Sequence, residues 1–212
     1  MAYNGGLHTQ ALYLKWYNLH MDNTVERLTQ LQKSVIIGTL LRDGYMRIAS
    51  GRKDAFLEIN HSFKQCEYVD WKYKILQNVC VSGPKTRKGN ESRIAYRFYT
   101  KQHPEFTELM KMFYVDGKKV IPHTIELNAI ILAVWFMDDG SKCSNSDYYL
   151  NTQQFNVGDQ NKLVKILSDY GLHTRLNKDK KYYRIRFMKS DIPILIEKIK
   201  DKIIPSMKYK LS

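Results

Sequence analysis

Two stretches of the chain are apolar on every side, Ile36-Ile37-Gly38-Thr39-Leu40-Leu41 and Leu132-Ala133-Val134-Trp135-Phe136-Met137, and each runs into an Asp-Gly pair, Asp43-Gly44 and Asp139-Gly140. A helix apolar all round must be buried over most of its surface. Thr29 and Asn128 stand where N-caps of these two helices belong. After each helix the hydrophobic period changes from helical to alternating, which predicts hairpins over 45–49 and 55–63 and again over 141–143 and 148–155. Helices are expected next at 68–77 and 160–170, then strands at 80–82 and 93–100 and at 172–176 and 182–188, then helices at 104–114 and 192–202. The pattern αββαββα thus occurs twice, an α+β class built on antiparallel hairpins.

Sequence echoes support a duplication. Lys74-Ile75-Leu76 returns as Lys165-Ile166-Leu167, Arg97-Phe98 as Arg186-Phe187, and Ile121-Pro122 as Ile204-Pro205. The offset shrinks steadily from 96 residues at the two Asp to 83 at the two Ile-Pro pairs, as small loop deletions in the second copy would produce. The expected units are an N-terminal extension over 1–23 with a helix at 11–19, a first repeat over 24–115, a linker over 116–126 and a second repeat over 127–212.

Composition narrows the partners. The 212 residues carry 34 Lys and Arg against 21 Asp and Glu, a net charge of +13. Such an excess suits a polyanion. No apolar run approaches the roughly 20 residues of a membrane span, and the basic residues do not gather on one amphipathic helix, so no membrane partner is expected. Three cysteines, Cys66, Cys80 and Cys143, give neither an even framework nor a C-x-x-C pair, and the first residues lack a secretory pattern. An intracellular, reducing setting is expected. The six His do not fall at zinc-ligand spacing with the Cys.

An isolated Asp-Gly is most often an ordinary turn. These two differ because both end buried-type helices at matching points of a repeat. If the helices pack against each other, with Gly38 and Ala133 permitting close approach, Asp43 and Asp139 meet at one end of the pair. Two carboxylates so placed repel unless a cation lies between them. Carboxylate oxygens suit Mg²⁺, which binds through one or two carboxylates plus phosphate and water.

Both segments resemble the LAGLIDADG motif of homing endonucleases, most specifically in Trp135-Phe136-Met137-Asp138-Asp139-Gly140. The resemblance covers roughly residues 24–212 and points to the single-chain, two-repeat branch. Leu150-Asn151-Thr152-Gln153 and the tail Ile204-Pro205-Ser206-Met207-Lys208-Tyr209-Lys210-Leu211 are similar to the omega-type intron endonuclease of yeast mitochondria. The resemblance implies two motif helices packed at the repeat interface, sheets forming a DNA-binding saddle, and metal held by Asp43 and Asp139. It implies Mg²⁺, with Mn²⁺ as a substitute, and hydrolysis of both strands with short 3′ overhangs. It places Lys119 and Lys210 near the cleavage centre, where an ammonium can orient water or stabilise charge on the phosphate. The first motif departs from the pattern: Arg42 stands where the second has Asp138, which leaves the relative rates of the two strands open.

Strand alternation then nominates a DNA face. Tyr182, Arg184 and Arg186 share one side of their strand, and Arg93, Arg97 and Tyr99 share the corresponding side in the first copy. Tyr45 and Arg47 go together, as do Asn60 and its neighbours, and Asn151 with Gln153. Arg suits guanine edges, and Asn or Gln suits adenine. Arg52-Lys53, Lys85-Thr86-Arg87-Lys88 and Lys178-Asp179-Lys180-Lys181 read as basic hairpin tips for phosphates, with Lys142 beside them. A strand of about nine residues spans about 30 Å. Two sheets at 3.4 Å per base pair therefore cover about 18 bp, and an asymmetric duplex of about 18–22 bp is the expected target. The expected function is a monomeric, site-specific endonuclease that promotes intron mobility, in an organelle or a microbial cytoplasm. The alternative is a maturase that binds intron RNA without cutting.

Overall fold

The computed structural model describes residues 26–89, 93–144 and 147–212. The expected extension over 1–23, with its helix at 11–19, lies outside the described residues. Within them the first copy runs α1 (Gln30–Leu40), β1 (Tyr45–Ile48), β2 (Ala55–Ser62), α2 (Cys66–Leu76), β3 (Lys85–Lys88), β4 (Ile94–Tyr99) and α3 (Pro104–Phe113). A short hairpin, β5 (Tyr114–Val115) and β6 (Lys118–Lys119), precedes the second copy. That copy runs α4 (Ala129–Asp139), β7 (Gly140–Ser144), β8 (Asp147–Leu150), α5 (Val157–Asp169), β9 (Thr174–Asp179), β10 (Tyr182–Phe187) and α6 (Ile192–Ile199), closed by a 3₁₀ turn over Pro205–Lys210. The sheets have orders β1-β2-β4-β3 and β7-β8-β10-β9, so the same antiparallel topology is built twice. None of the described helices is long and apolar enough to cross a membrane.

Local chemistry explains the starts of the central helices. Thr29 forms a full capping box with Gln32 at the head of α1. The Asn128 side chain accepts from the N–H groups of Ile130 and Ile131 at the head of α4, and its amide donates to Ser34 Oγ at 2.9 Å. One residue thus caps a helix and ties it to the other.

Four expectations need correction. The strand placed at 80–82 is only an isolated bridge between Cys80 and Thr100; the real partner of β4 is β3, the segment expected to be a hairpin tip. All four β3 residues are exposed, so no apolar alternation marked them, and a charged edge strand of this kind resists pairing with other chains. β8 stops at Leu150 and does not reach 155, which puts Asn151 and Gln153 beyond the sheet. The linker expected at 116–126 opens inside the β5–β6 hairpin, and the helix expected to reach 114 gives way to β5 there; the turn residues Asp116 and Gly117 have φ of 49° and 71°. Those positive values match the primed turns that hairpins prefer.

α1 and α4 pack along each other at the centre, and Ile131 to Met137 are all buried. A Cβ on Gly38 would lie 2.7 Å from Val134 Cβ and 2.8 Å from the Ile131 carbonyl oxygen. The helices approach that closely because Gly38 has no side chain. Ala133, the other small residue singled out, is also buried but lines an apolar groove with Leu31, Trp71 and Ile204. Gly38→Ala is expected to cost about 1–3 kcal/mol, towards the upper end because a backbone carbonyl cannot step aside as a side chain can. Urea unfolding checks this, and an unchanged midpoint would mean the helices slide apart freely.

β1 begins at Tyr45, with Gly44 between it and Asp43, and β7 begins at Gly140, directly after Asp139. Both sheets therefore spring from the end of the helix pair that carries the acids. α2 and α3 cover one face of the first sheet, and α5 covers one face of the second. The other faces stay open.

Candidate nuclease centre and nucleic-acid face

The two Asp-Gly pairs end their helices differently. α4 runs through Asp139, whereas α1 stops at Leu40 and leaves Asp43 in the turn beyond it. Asp139 is 3% exposed and Asp43 lies in the open. One group bridges them: Arg42 Nε is 3.4 Å from Asp43 Oδ1 and 3.2 Å from Asp139 Oδ1. The acids, 96 residues apart in sequence, come within reach of a single cation. Burial pushes the Asp139 carboxyl up to about 8, with Asp43 and Asp138 adding to the rise and Arg42 opposing it. Asp139 Oδ2 has no hydrogen-bond partner. A buried carboxylate oxygen without a partner, beside a second carboxylate, is a donor set that fits a hard divalent cation.

The two lysines occupy equivalent places. Lys119 Nζ donates to the carbonyls of Arg42 (2.9 Å) and Gly44 (2.5 Å), on either side of Asp43. Lys210 Nζ donates to the carbonyl of Asp138, the residue before Asp139, at 3.3 Å. Each ammonium thus holds the backbone beside one acid. Burial lowers Lys119 to about 8, against the pull of Asp43 and Asp138, and it also lowers Lys210. A lysine near 8 can give or take a proton close to neutral pH.

A third cluster escaped sequence reasoning. Lys72, on α2, is wholly buried, and its Nζ donates to Asp138 Oδ1 and Oδ2 at 2.8 and 3.1 Å. The same Nζ lies 3.4 Å from His61 Nε2 and 4.3 Å from the centre of the Tyr68 ring, whose hydroxyl donates to the Val134 carbonyl. Burial first, and the charge on Lys72 second, hold His61 down at about 3, so the ring is neutral. Its Nδ1 faces Gln65 Oε1 at 3.2 Å and Asp43 Oδ2 at 3.7 Å. Ligand atoms of Asp43, His61 and Asp138 lie within 4.8 Å of one another, which is metal-sized spacing. The Lys72 ammonium already sits on Asp138 and beside His61, so the protein supplies this cluster's cation itself. The signal was present: Lys72 falls on the stripe Tyr68, Val69, Lys72, Leu76, and His61 alternates with Leu57 and Ile59 on the buried side of β2.

On the first sheet, Tyr45 and Arg47 of β1 and Asn60 of β2 are exposed, as are Lys85, Arg87 and Lys88 of β3 and Arg93 just before β4. Arg52 and Lys53 lie exposed in the β1–β2 connection. Arg97 is half-buried and paired with Glu58 at 3.5 Å. On the second sheet, Tyr182, Lys178 and Lys180 are exposed, with Lys180 in the β9–β10 turn at φ 55°. The Arg184 guanidinium lies 3.8 Å from the centre of the Tyr149 ring, and Arg186 pairs with Asp147. Three residues are more committed than expected. Asn151 Nδ2 donates to the Asp139 carbonyl at 2.7 Å and to Ser141 Oγ, so it braces the end of α4. Gln153 donates to Asp179 at 2.9 Å, and Lys142 reaches the Leu211 carbonyl at 3.5 Å. The open faces still present a dense set of cationic and aromatic groups, with Arg97, Arg184 and Arg186 held in place by neighbours.

Comparison with known proteins agrees with this architecture. The LAGLIDADG DNA endonuclease family matches residues 33–195. Cytochrome b mRNA maturase bI2 of Debaryomyces hansenii is 31% identical over 189 residues, which are 84% of this chain and 72% of that protein. Probable intron-encoded endonuclease 1 of Wickerhamomyces canadensis is 29% identical over 199 residues, 87% of this chain and 85% of that one. Among solved structures, the homing endonuclease I-WcaI bound to its DNA recognition sequence superposes with a TM-score of 0.81 at 25% identity, covering 100% of this chain and 95% of that one. Two copies of one sheet topology around paired Asp-Gly helices, and a family match across most of the chain, agree: the chain belongs to the LAGLIDADG DNA endonuclease family.

Proposed function

We propose that the protein is a site-specific homing endonuclease that hydrolyses both strands of an asymmetric duplex of about 18–22 bp and so promotes movement of the intron that encodes it. The observation that carries this reading is the meeting of Asp43 and Asp139 on one cation at the end of the helix pair. The repeats, over 24–115 and 127–212, each read one half-site as parts of a monomer. Asp43 and Asp139 hold divalent metal, Mg²⁺ by preference with Mn²⁺ as a substitute. The metal, when bound, polarises the scissile phosphate and lowers the pKa of water. Lys119 and Lys210 fix the backbone beside each acid and keep an ammonium near the developing charge. Arg47, Asn60, Arg97, Arg184 and Arg186 face base edges, while Arg52, Lys53, Lys88, Lys178 and Lys180 touch phosphates and set register. The cuts leave short 3′ overhangs, and the setting is an organelle or a microbial cell.

Purified protein is expected to cut, in Mg²⁺, a duplex spanning the host's intron-free insertion point and to spare the same locus once the intron divides it. Equal treatment of the two, or no cut in Mg²⁺ or Mn²⁺, would end this reading. A maturase role is the second reading, favoured by the Debaryomyces relative, which is a maturase by name. Tight binding of the intron RNA by protein that ignores the duplex would establish it in place of cleavage.

A further inference from the structure

Among the described residues, Arg42 of the first motif is the one cation that pairs with both candidate metal ligands, and its surroundings differ sharply from those of its counterpart. Asp138, in the equivalent place, has a side chain wholly shielded from solvent and is held by both of its oxygens on Lys72. The Arg42 side chain is 35% exposed, and its distances to the two acids, 3.2 and 3.4 Å, exceed the 2.7–2.9 Å of a strong charge-assisted contact. One nitrogen is divided between two carboxylates, while Nη1 donates to the exposed Gln154 of the second copy. A phosphate is a better match for this group. It accepts two parallel N–H bonds from a guanidinium, which two carboxylates from separate segments, sharing one nitrogen, do not.

We propose that Arg42 is a phosphate-responsive positioning residue: in the free protein its Nε–H lies against both Asp43 and Asp139, where a divalent ion would be held, and a backbone phosphate of bound DNA draws the guanidinium away. This rests on the endonuclease reading and adds to it a reason for metal to enter only with substrate present. Metal and DNA then bind with positive coupling, each raising the affinity for the other by the same factor. The asymmetry of the motifs acquires a purpose as well. Lys72 locks the acidic copy, and the basic copy is free to move.

The test is Mn²⁺ binding, followed by electron paramagnetic resonance on DNA-free protein. Arg42→Gln is expected to bind Mn²⁺ at least tenfold more tightly than wild type, and Arg42→Gln with Asp139→Asn is expected to lose the gain. A short duplex of unrelated sequence, held at low salt through its backbone alone, should tighten Mn²⁺ binding to wild type and leave Arg42→Gln nearly unchanged. Arg42→Gln no tighter than wild type overturns the proposal, as does a gain that survives the Asp139 substitution, or a duplex effect of equal size in both proteins. If Arg42→Gln does not fold, Arg42→Met carries the same comparison, because it removes the cation and keeps an unbranched stem; the expected gain is again tenfold, and no gain overturns the proposal. Cleavage of the intron-free locus by wild type is scored separately. Protein that cuts but shows no Arg42 effect loses only this inference, whereas protein that never cuts loses the endonuclease reading.

Discussion

Asp139→Asn is expected to stop cleavage and, at the same time, to make the free protein more stable at alkaline pH. The loss of cleavage should be on the order of 10³-fold, because a neutral amide cannot hold the cation against the scissile phosphate. The gain in stability follows from burial. Asp139 is pushed from 3.8 to about 8 in the folded chain. Between those values folding takes up a proton at this group. Its contribution is complete below the lower value and is lost as pH rises through about 8. Asn does not ionise, so the variant escapes that loss and should be several kcal/mol more stable than wild type at pH 8.5, with little difference at pH 4. Urea unfolding at the two pH values, in chelator to exclude metal binding, measures it. A variant that follows the wild-type pH profile would show that the carboxyl is already ionised in the fold. A buried acid kept at a cost to stability is a familiar trade between function and folding.

Lys72 gives the second large effect. Its ammonium and the Asp138 carboxylate are both removed from water and satisfied mainly by each other. Lys72→Met strands the Asp138 charge in the interior and should cost about 3–5 kcal/mol. Replacing both partners, Lys72→Met with Asp138→Leu, removes both charges together and should recover most of that loss. The double-mutant cycle in urea reads the coupling directly. Additive losses would show that water reaches the pair and that each charge is solvated separately. The pair links α2 of the first copy to the motif of the second, so the single variant is also expected to loosen the alignment of Asp43 with Asp139.

Much of this was legible beforehand, and the reasons are local. Thr29 and Asn128 announced the two central helices because capping is a matter of neighbouring residues. The duplicated topology followed from the order of periodicities, and the sheets repeat it strand for strand. Gly38, small within a buried helix, marks a point of close approach, and a Cβ there would strike α4. β3 is not legible because four polar residues on an exposed edge carry no alternation. Alternation carries the strand past Leu150 and so puts Asn151 on the DNA face, whereas pairing ends at Leu150. Arg42 departs from the motif in sequence, but nothing in its neighbours along the chain says that it lies between the two acids.

By itself the sequence determined which helices are buried, where each sheet begins, and that two acids end two equivalent helices. Hydrophobic period, capping and turn chemistry act over a few residues and leave their mark in order along the chain. The tertiary structure alone decided which charges meet: Arg42 with Asp43 and Asp139, Lys72 with Asp138, and Lys119 and Lys210 with the backbone beside the acids. Those pairings join residues dozens of positions apart. They depend on how closely α1 and α4 pack and on how far water is excluded around them, and so does the upward push of burial on the Asp139 carboxyl.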